Sequence, residues 1–289
     1  MKHIDNSTLI IEAAWQTTAT QKMGALKALT HDQTSFMAAK AKLFRAGHWR
    51  AIKNGLSALS KNKCWYCESS LARQHGDVDH FRPKGAVEDE PTHSGYWWLA
   101  LEPSNFRLSC ISCNQATTQA GQTRGKLDKF PLLNGGTRAF MATDDINLER
   151  PILLDPTNAE DVKLIAFDLD GLPRPFFEKS TDEEKYLRAS TSIEVFALAR
   201  SDICRLRSKV LKNIDKALKA IITLEASLGL LAEEIRNRFE LQLNELKATI
   251  KESIDPHAEF LAASVDILQN RRGHSPWLDD LLRQHGYWN

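Results

Sequence analysis

Long apolar runs are missing from this 289-residue chain: no stretch approaches about 18 consecutive apolar residues, so no membrane-spanning helix is expected. The opening MKHIDNSTLIIEAAW places Asp5 and Glu12 where a secretory signal would need an unbroken apolar segment, so the protein is expected in the cytoplasm. Five cysteines are too few for a disulfide scaffold. No Walker-type glycine loop is present, so the chain is not expected to bind or hydrolyse ATP by itself. Internal repeats and low-complexity tracts are also lacking. What remains is ordinary globular composition, 42% hydrophobic and 26% charged, in a length that fits one large domain or two modest ones.

An excess of one charge is lacking too, since 38 Lys and Arg face 37 Asp and Glu, but that balance hides a gradient. Residues 1–63 hold ten basic residues against three acids, a balance of +7, whereas residues 131–170 hold three against eight, a balance of −5. A basic arm attracts a polyanion locally, and a solvated helical surface is the plainer explanation of the same residues.

The few cysteines are not scattered. Cys64-Trp65-Tyr66-Cys67 and Cys110-Ile111-Ser112-Cys113 form two C-x2-C knuckles. Thiolates two residues apart both reach an ion about 2.3 Å away, and two knuckles complete a closed tetrahedral four-sulfur zinc site. Such a site contributes directly to folding. A thioredoxin-like redox pair is the competing reading of one knuckle, and the second knuckle argues against it. Cys204 stands alone in a helical stretch and reads as a buried small hydrophobe.

Between the knuckles lies His75-Gly76-Asp77-Val78-Asp79-His80-Phe81-Arg82-Pro83-Lys84. Asp77 to Phe81 predict a short strand ended by Pro83, Asn105 to Ser109 predict a second, and Asn114 onward predicts the opening of a helix. Adjacent Asp79 and His80 suit phosphodiester hydrolysis. A hard divalent cation takes oxygen ligands, here Asp79 with Asn114, while neutral His80 takes a proton from water. Asn105 would orient the loop carrying His80, and Arg82, Lys84 and Lys126 would meet the nucleic-acid backbone. Singly, each residue has a plainer role: a structural histidine, solvated acids, a helix cap, surface charges. In a regular strand Asp79 and His80 also point to opposite faces, so a shared site needs a bend at the strand end.

The set Asp79-His80, Asn105 and Asn114 within paired knuckles resembles the HNH endonucleases with a ββα-metal fold. That resemblance implies His80 as general base, Asp79 and Asn114 as ligands of a catalytic Mg2+ or Mn2+, and Asn105 as support of the His loop. Many family members carry His where this chain has Asn114. The ordered motifs CWYCE, DVDHFRPK, YWWLA, SNFRLSCISCN, KFPLL and ERPILLDP, from Cys64 to Pro156, further resemble the PtuB-like HNH proteins of Septu and retron-associated anti-phage systems. That likeness implies a PtuA-like ATPase partner and a role in phage defence.

The remaining chain divides by pattern. Tyr96-Trp97-Trp98-Leu99 reads as packing for the nuclease motif rather than a stacking platform for bases. Residues 131–180 are rich in Pro and Gly, with a small hairpin expected between Leu164 and Pro173. Beyond them Ala199, Ile203, Leu206, Val210, Ile214, Ala217 and Ile221 form one helical stripe, and Leu228, Leu231, Ile235, Phe239, Leu243, Leu246 and Ile250 a second. Gly229 offers a turn between them, giving an antiparallel hairpin, with a single continuous rod as the alternative. Asp255-Pro256 and Ser275-Pro276 each predict a further helix start, and Gly286 a helix end. Arg200, Arg205, Arg207, Lys209, Lys212, Lys216 and Lys219 crowd the first stripe, as a nucleic-acid clamp, a contact to an acidic partner or a solvated face.

The expected fold is therefore mainly α with a small ββα-metal nuclease motif stapled by a structural zinc site of four cysteines. Its regions are 1–63 (basic, helical), 64–130 (nuclease core), 131–180 (loop-rich) and 181–289 (helical), the last offering a surface for a homodimer or hetero-oligomer. The expected function is a metal-dependent endonuclease acting on DNA or RNA, in defence, with an ATPase partner. The alternative is a non-catalytic zinc-stapled module that binds nucleic acid or protein. A stand-alone restriction enzyme would need a sequence-reading domain that nothing in the chain announces.

Overall fold

A computed structural model describes all residues except 73–74, 116, 120–121, 229–231 and 288–289. The N-terminal part is helical: α1 Ala13–Lys27, α2 Gln33–Ala46 and α3 Lys53–Leu59. Asp32 caps α2 by accepting from the Thr34 and Ser35 amides, and Gly47, at φ 59°, ends it in the left-handed conformation that glycine adopts without strain.

The knuckle region follows. β1 Gly76–His80 and β2 Phe106–Cys110 pair antiparallel, with Asp79 opposite Arg107 and His80 opposite Phe106. Both strands start within one residue of the expected position. The helix after them does not develop: α4 spans only Ile111–Asn114. Gln115 turns extended (φ −96°, ψ 162°), and the amides of Lys126 and Leu127 take the Cys113 and Asn114 carbonyls that further helical turns would have used. The chain instead forms the hairpin β3 Thr117–Gln119 and β4 Gln122–Arg124. The two strands and the cysteine frame of the ββα expectation are present, and its helix is reduced to one turn.

The loop-rich segment contains the expected hairpin, β5 Ile165–Phe167 with β6 Pro173–Pro175. Helices then dominate: α5 Glu183–Val195, α6 Ser201–Leu228, α7 Glu233–Ser253, α8 Leu261–Gln269 and α9 Pro276–Gln284. Helices α6 and α7 are separate and pack along each other, as a hairpin rather than a rod; the expected turn at Gly229, and Leu231 of the second stripe, lie outside the described residues.

Two helical expectations need correction. The buried side of α6 runs through Ile203, Arg207, Leu211, Ile214, Leu218 and Ile221, while Leu206 is 53% exposed. The stripe is rotated because Arg207 turns inward, donating to the Gly171 carbonyl at 2.6 Å and lying over the Phe167 ring. Asp255-Pro256 starts no helix. The Asp255 carboxylate accepts from the His257 amide at 2.7 Å in a tight turn, and α8 begins later, at Leu261. Ser275 does cap α9, and Gly286, at φ 70°, follows its end.

Tyr96, Trp97 and Trp98 are buried, so their role is packing; the Trp97 ring meets Phe36 of α2 edge-on. One cluster of buried apolar side chains draws on segments from Met1 to Leu282. No helix among the described residues is long and apolar enough to cross a membrane.

Candidate active site

The knuckle Cys64 to Cys67 closes on itself through the Glu68 amide and the Cys64 carbonyl, with Glu68 in a left-handed conformation (φ 62°). It is tied to β2 by the Trp65 amide and the Leu108 carbonyl. The second knuckle joins the end of β2 to α4. All four cysteines are buried and unbridged, and their sulfurs lie within 4.8 Å of one another. The Cys67 and Cys110 sulfurs are 3.8 Å apart. A tetrahedral ion with bonds of about 2.3 Å requires sulfurs about 3.8 Å apart, so the donors fit zinc. Burial pushes the Cys64 and Cys113 thiols up, whereas hydrogen bonds from Cys110, Cys113 and Cys64 pull Cys67 down. Such a cluster holds shared protons that a cation would displace.

Arg200, just before α6, reaches this cluster from outside the knuckles. Its guanidinium lies 3.5 Å from the Cys113 sulfur and 3.6 Å from that of Cys67. Four thiolates around a divalent ion would leave two negative charges, and a buried guanidinium offsets one of them. Sequence reading placed Arg200 only among surface basic residues; its position at the head of a long helix gave no signal of this contact.

At the end of β1, alternation sends two side chains to different surroundings. The His80 ring is buried, edge-on to Trp49 (4.9 Å between centroids) and to Phe106 (5.1 Å). Its Nε2 lies 3.0 Å from the Ala100 carbonyl oxygen, which only accepts, so Nε2 carries the proton. Nδ1 therefore bears the lone pair, and it is buried with no hydrogen-bond partner among the described residues. Burial, reinforced by the nearby Lys84 ammonium, holds His80 well below its ordinary value of 6.5, so the ring is neutral at physiological pH.

Asp79 faces the first cysteine knuckle. Its carboxylate accepts from the Tyr66 hydroxyl at 2.5 Å and from the Lys126 ammonium at 3.1 Å. Lys126 also donates to the His80 carbonyl at 2.7 Å. As the site stands, each Asp79 oxygen accepts from one protein donor, and a divalent cation beside Oδ1 would meet the positive charge of the Lys126 ammonium. Asn114 is half-buried, and its side chain makes no hydrogen bond among the described residues. Asn105 grips the backbone two residues past His80: its side chain accepts from the Arg82 amide at 2.8 Å and donates to the Arg82 carbonyl at 3.0 Å.

The three basic residues expected at the nucleic-acid backbone separate. Lys126 is fully buried and ion-paired with Asp79, so it is no surface phosphate contact. Arg82 donates to the buried Glu149 at 2.6 Å and to the Ile146 carbonyl, so its charge is already neutralised. Lys84 alone stays without an ion pair or hydrogen bond among the described residues. Its ammonium lies 4.8 Å from the Trp49 ring centroid, beside His80, and burial pushes its affinity for a proton down. Among the α6 residues considered for a clamp, Arg200 and Arg207 are buried, Lys212 pairs with Asp170 and Lys219 with Asp215.

Two acids that sequence reading quoted only within ERPILLDP turn out to brace the site. Glu149 accepts from Arg82, from the Tyr96 hydroxyl at 2.5 Å and from the Ala139 amide. Asp155 takes Arg107, which lies opposite Asp79 in the sheet, through two nitrogens. Long-range pairing of this kind leaves no local pattern in the sequence.

Comparison with known proteins agrees with the motif reading. The chain is 33% identical over 177 residues to the Septu protein PtuB of Bacillus mycoides (strain KBAB4), covering 60% of this chain and 55% of that protein. It is 23% identical over 171 residues to a protein of Vibrio cholerae serotype O1 biovar El Tor whose name assigns it to retron Vc95 as an HNH endonuclease, covering 59% and 68%. The match thus spans little more than half the length of the Septu relative. No family model matches the chain. The chain is PtuB-like in sequence, as its ordered motifs suggested.

Proposed function

We propose, from the likeness to a PtuB protein and a retron-associated HNH protein, that this chain is a phosphodiester-cleaving HNH nuclease of an anti-phage system. A PtuA-like ATPase is its partner, and DNA or RNA its substrate. The observation that carries the reading is the His80 ring. A buried imidazole whose Nε2 proton is committed to the Ala100 carbonyl, and whose Nδ1 has no partner, is a proton acceptor with its tautomer already set. Leaving a buried acceptor unpaired costs about 1–3 kcal/mol; His48 Nε2 is likewise buried without a partner among the described residues, and what sets His80 apart is its place next to Asp79 and Lys84.

In this reading His80 Nδ1 takes the proton of the attacking water as it approaches phosphorus. Asn105 fixes the backbone at Arg82 and so the bend that carries His80. Lys84, adjacent and with no ion pair or hydrogen bond among the described residues, is the positive charge available to a phosphate oxygen. Asp79 and Asn114 are the residues that would hold a Mg2+ or Mn2+ ion, whose chemistry is to stabilise charge on the phosphate and the leaving oxygen. Arg82 and Lys126 are withdrawn from the set of phosphate contacts. Zinc in the four-cysteine cluster is structural.

The test is cleavage of plasmid DNA and total RNA with Mg2+, Mn2+ or chelator, with and without a PtuA-like ATPase. His80→Ala is expected to lower the metal-dependent rate by about 10²–10⁴-fold, with zinc content unchanged and the variant still folded by circular dichroism at the assay temperature. Undiminished cleavage by that variant would remove His80 from the mechanism. The non-catalytic binding module gains one observation, the closed surroundings of Nδ1. It predicts metal-independent retention of nucleic acid or partner with no cleavage under any of these conditions.

A further inference from the structure

The geometry points to a self-occupied resting site, in which the Lys126 ammonium sits in the place of the catalytic cation and must withdraw before a divalent ion binds Asp79. This inference rests on the reading of Asp79 as a cation ligand given above and adds the group that regulates it.

Three observations carry it. First, the oxygens around the Lys126 ammonium are those a hard cation selects: an Asp79 carboxylate oxygen at 3.1 Å and the His80 main-chain carbonyl at 2.7 Å. Second, the pair is dry, with the Lys126 side chain fully buried and that of Asp79 only 4% exposed. A buried ion pair resists loss of either partner, because the remaining charge is left uncompensated in a medium that solvates it poorly. A divalent ion replacing Lys126 supplies that compensation, whereas water does not. Third, His80 Nδ1 is also closed to solvent, so neither the proton acceptor nor the Asp79 carboxylate is open as the site stands.

Lys126 is also placed to move. It follows the β3–β4 hairpin, and its anchorage to the knuckle runs through its own amide to the Cys113 carbonyl and the Leu127 amide to the Asn114 carbonyl. Those backbone bonds can persist while the four-carbon side chain swings out of the pocket. Gly125, at φ 130°, precedes it in a conformation that side chains rarely adopt. The Tyr66 hydroxyl, by contrast, belongs to the zinc knuckle and stacks on Phe196 (4.0 Å between centroids), so it stays with Asp79 when Lys126 leaves.

The experiment titrates zinc-loaded, full-length protein with Mn2+ and reads free Mn2+ by electron paramagnetic resonance. Wild type is compared with K126M, D79N and the double variant. Lys126→Met is expected to bind one Mn2+ at least about tenfold more tightly than wild type, the equivalent of about 1.4 kcal/mol, and Asp79→Asn to abolish that gain in the double variant. If D79N weakens Mn2+ binding but K126M does not tighten it, Asp79 stands as a ligand and the competition is overturned. If D79N changes Mn2+ binding in neither background, Asp79 is not a ligand, and both this inference and the cation reading beneath it fail. A second measurement needs no folded variant: acetylation of wild-type lysines, mapped by mass spectrometry. Lys126 is expected to be protected without Mn2+ and modified at saturating Mn2+, and continued protection at saturation overturns the proposal.

Discussion

The segment from Cys64 to Asp155 and the α6–α7 hairpin hold together by different means. The first buries polar groups freely: Asp79, His80, Asn105, Arg107, Lys126 and Glu149 are all buried. All but one of their buried polar atoms find a partner, and the exception is His80 Nδ1. It devotes few residues to regular structure, with two five-residue strands, the three-residue strands of the β3–β4 hairpin and a one-turn helix. The hairpin uses 28 and 21 residues of helix and buries an apolar stripe. Ile235, expected within the second stripe, is exposed instead, as is Leu241 outside it. The lesson is that the site's precision comes from a fixed network of unlike partners, whereas the hairpin's stability comes from repetition. A network fails when one member is lost, and a stripe fails gradually.

Predictions follow that contrast from the largest effect down. Removing zinc, by chelation under denaturant or by Cys110→Ser, should cost the most, since structural zinc sites contribute about 10–16 kcal/mol in zinc-finger peptides. The variant should contain no zinc by elemental analysis and lose the near-ultraviolet dichroism of buried Trp65 and Tyr66, while part of the far-ultraviolet helix signal survives in the hairpin. Complete loss of helix would show that the two regions fold as one. Next, Asp155→Ala leaves the buried Arg107 guanidinium without its carboxylate. Such a loss should cost about 3–5 kcal/mol by urea unfolding.

Ile250→Ala, at a fully buried position of α7, should cost about 2–5 kcal/mol. Leu241→Ala on the same helix, at 64% exposure, should stay within about 0.5 kcal/mol. Equal costs at the two positions would mean that the exposed side of the hairpin is covered in solution, as an oligomer would cover it.

His80 supplies a test by pH. Its folded value lies well below 6.5, so below pH 6.5 the unfolded chain binds a proton that the folded chain does not. Stability from this group is therefore complete above its unfolded value. It falls as pH drops from about 6.5 toward the folded value, by up to about 1.4 kcal/mol per pH unit. His80→Asn should flatten that limb of the urea-stability profile. An unchanged profile would mean that the ring is not held neutral.

The legibility of these regions in the sequence differs for the same physical reason. The knuckles were legible because tetrahedral sulfur ligation imposes a spacing on the chain. The strands at Asp79 and Phe106 were bounded by Gly76, Pro83 and the second knuckle, all local signals. The helical hairpin was legible in its period but not in its phase. Leu206 is as apolar as Leu211, and only the Gly171 carbonyl and the Phe167 ring, brought up by the β5–β6 hairpin, explain why Arg207 is inside instead. The helix expected after Asn114 failed because two amides arriving from Lys126 and Leu127 claimed its carbonyls. Nothing within residues 111–118 announces that competition.

By itself the sequence determined the cysteine frame, the paired strands, the helical rhythm and the likeness to PtuB and retron-associated HNH proteins. Each of these depends on spacing along the chain or on residue order. Only the tertiary structure decided what charge each basic residue keeps: Arg82 neutralised by Glu149, Lys126 by Asp79, Arg200 set against the sulfurs, Lys84 with no ion pair among the described residues. The reason is that an ionic partner is chosen by distance and burial in space, and residues 79 and 126, or 82 and 149, carry no trace of each other in the letters between them.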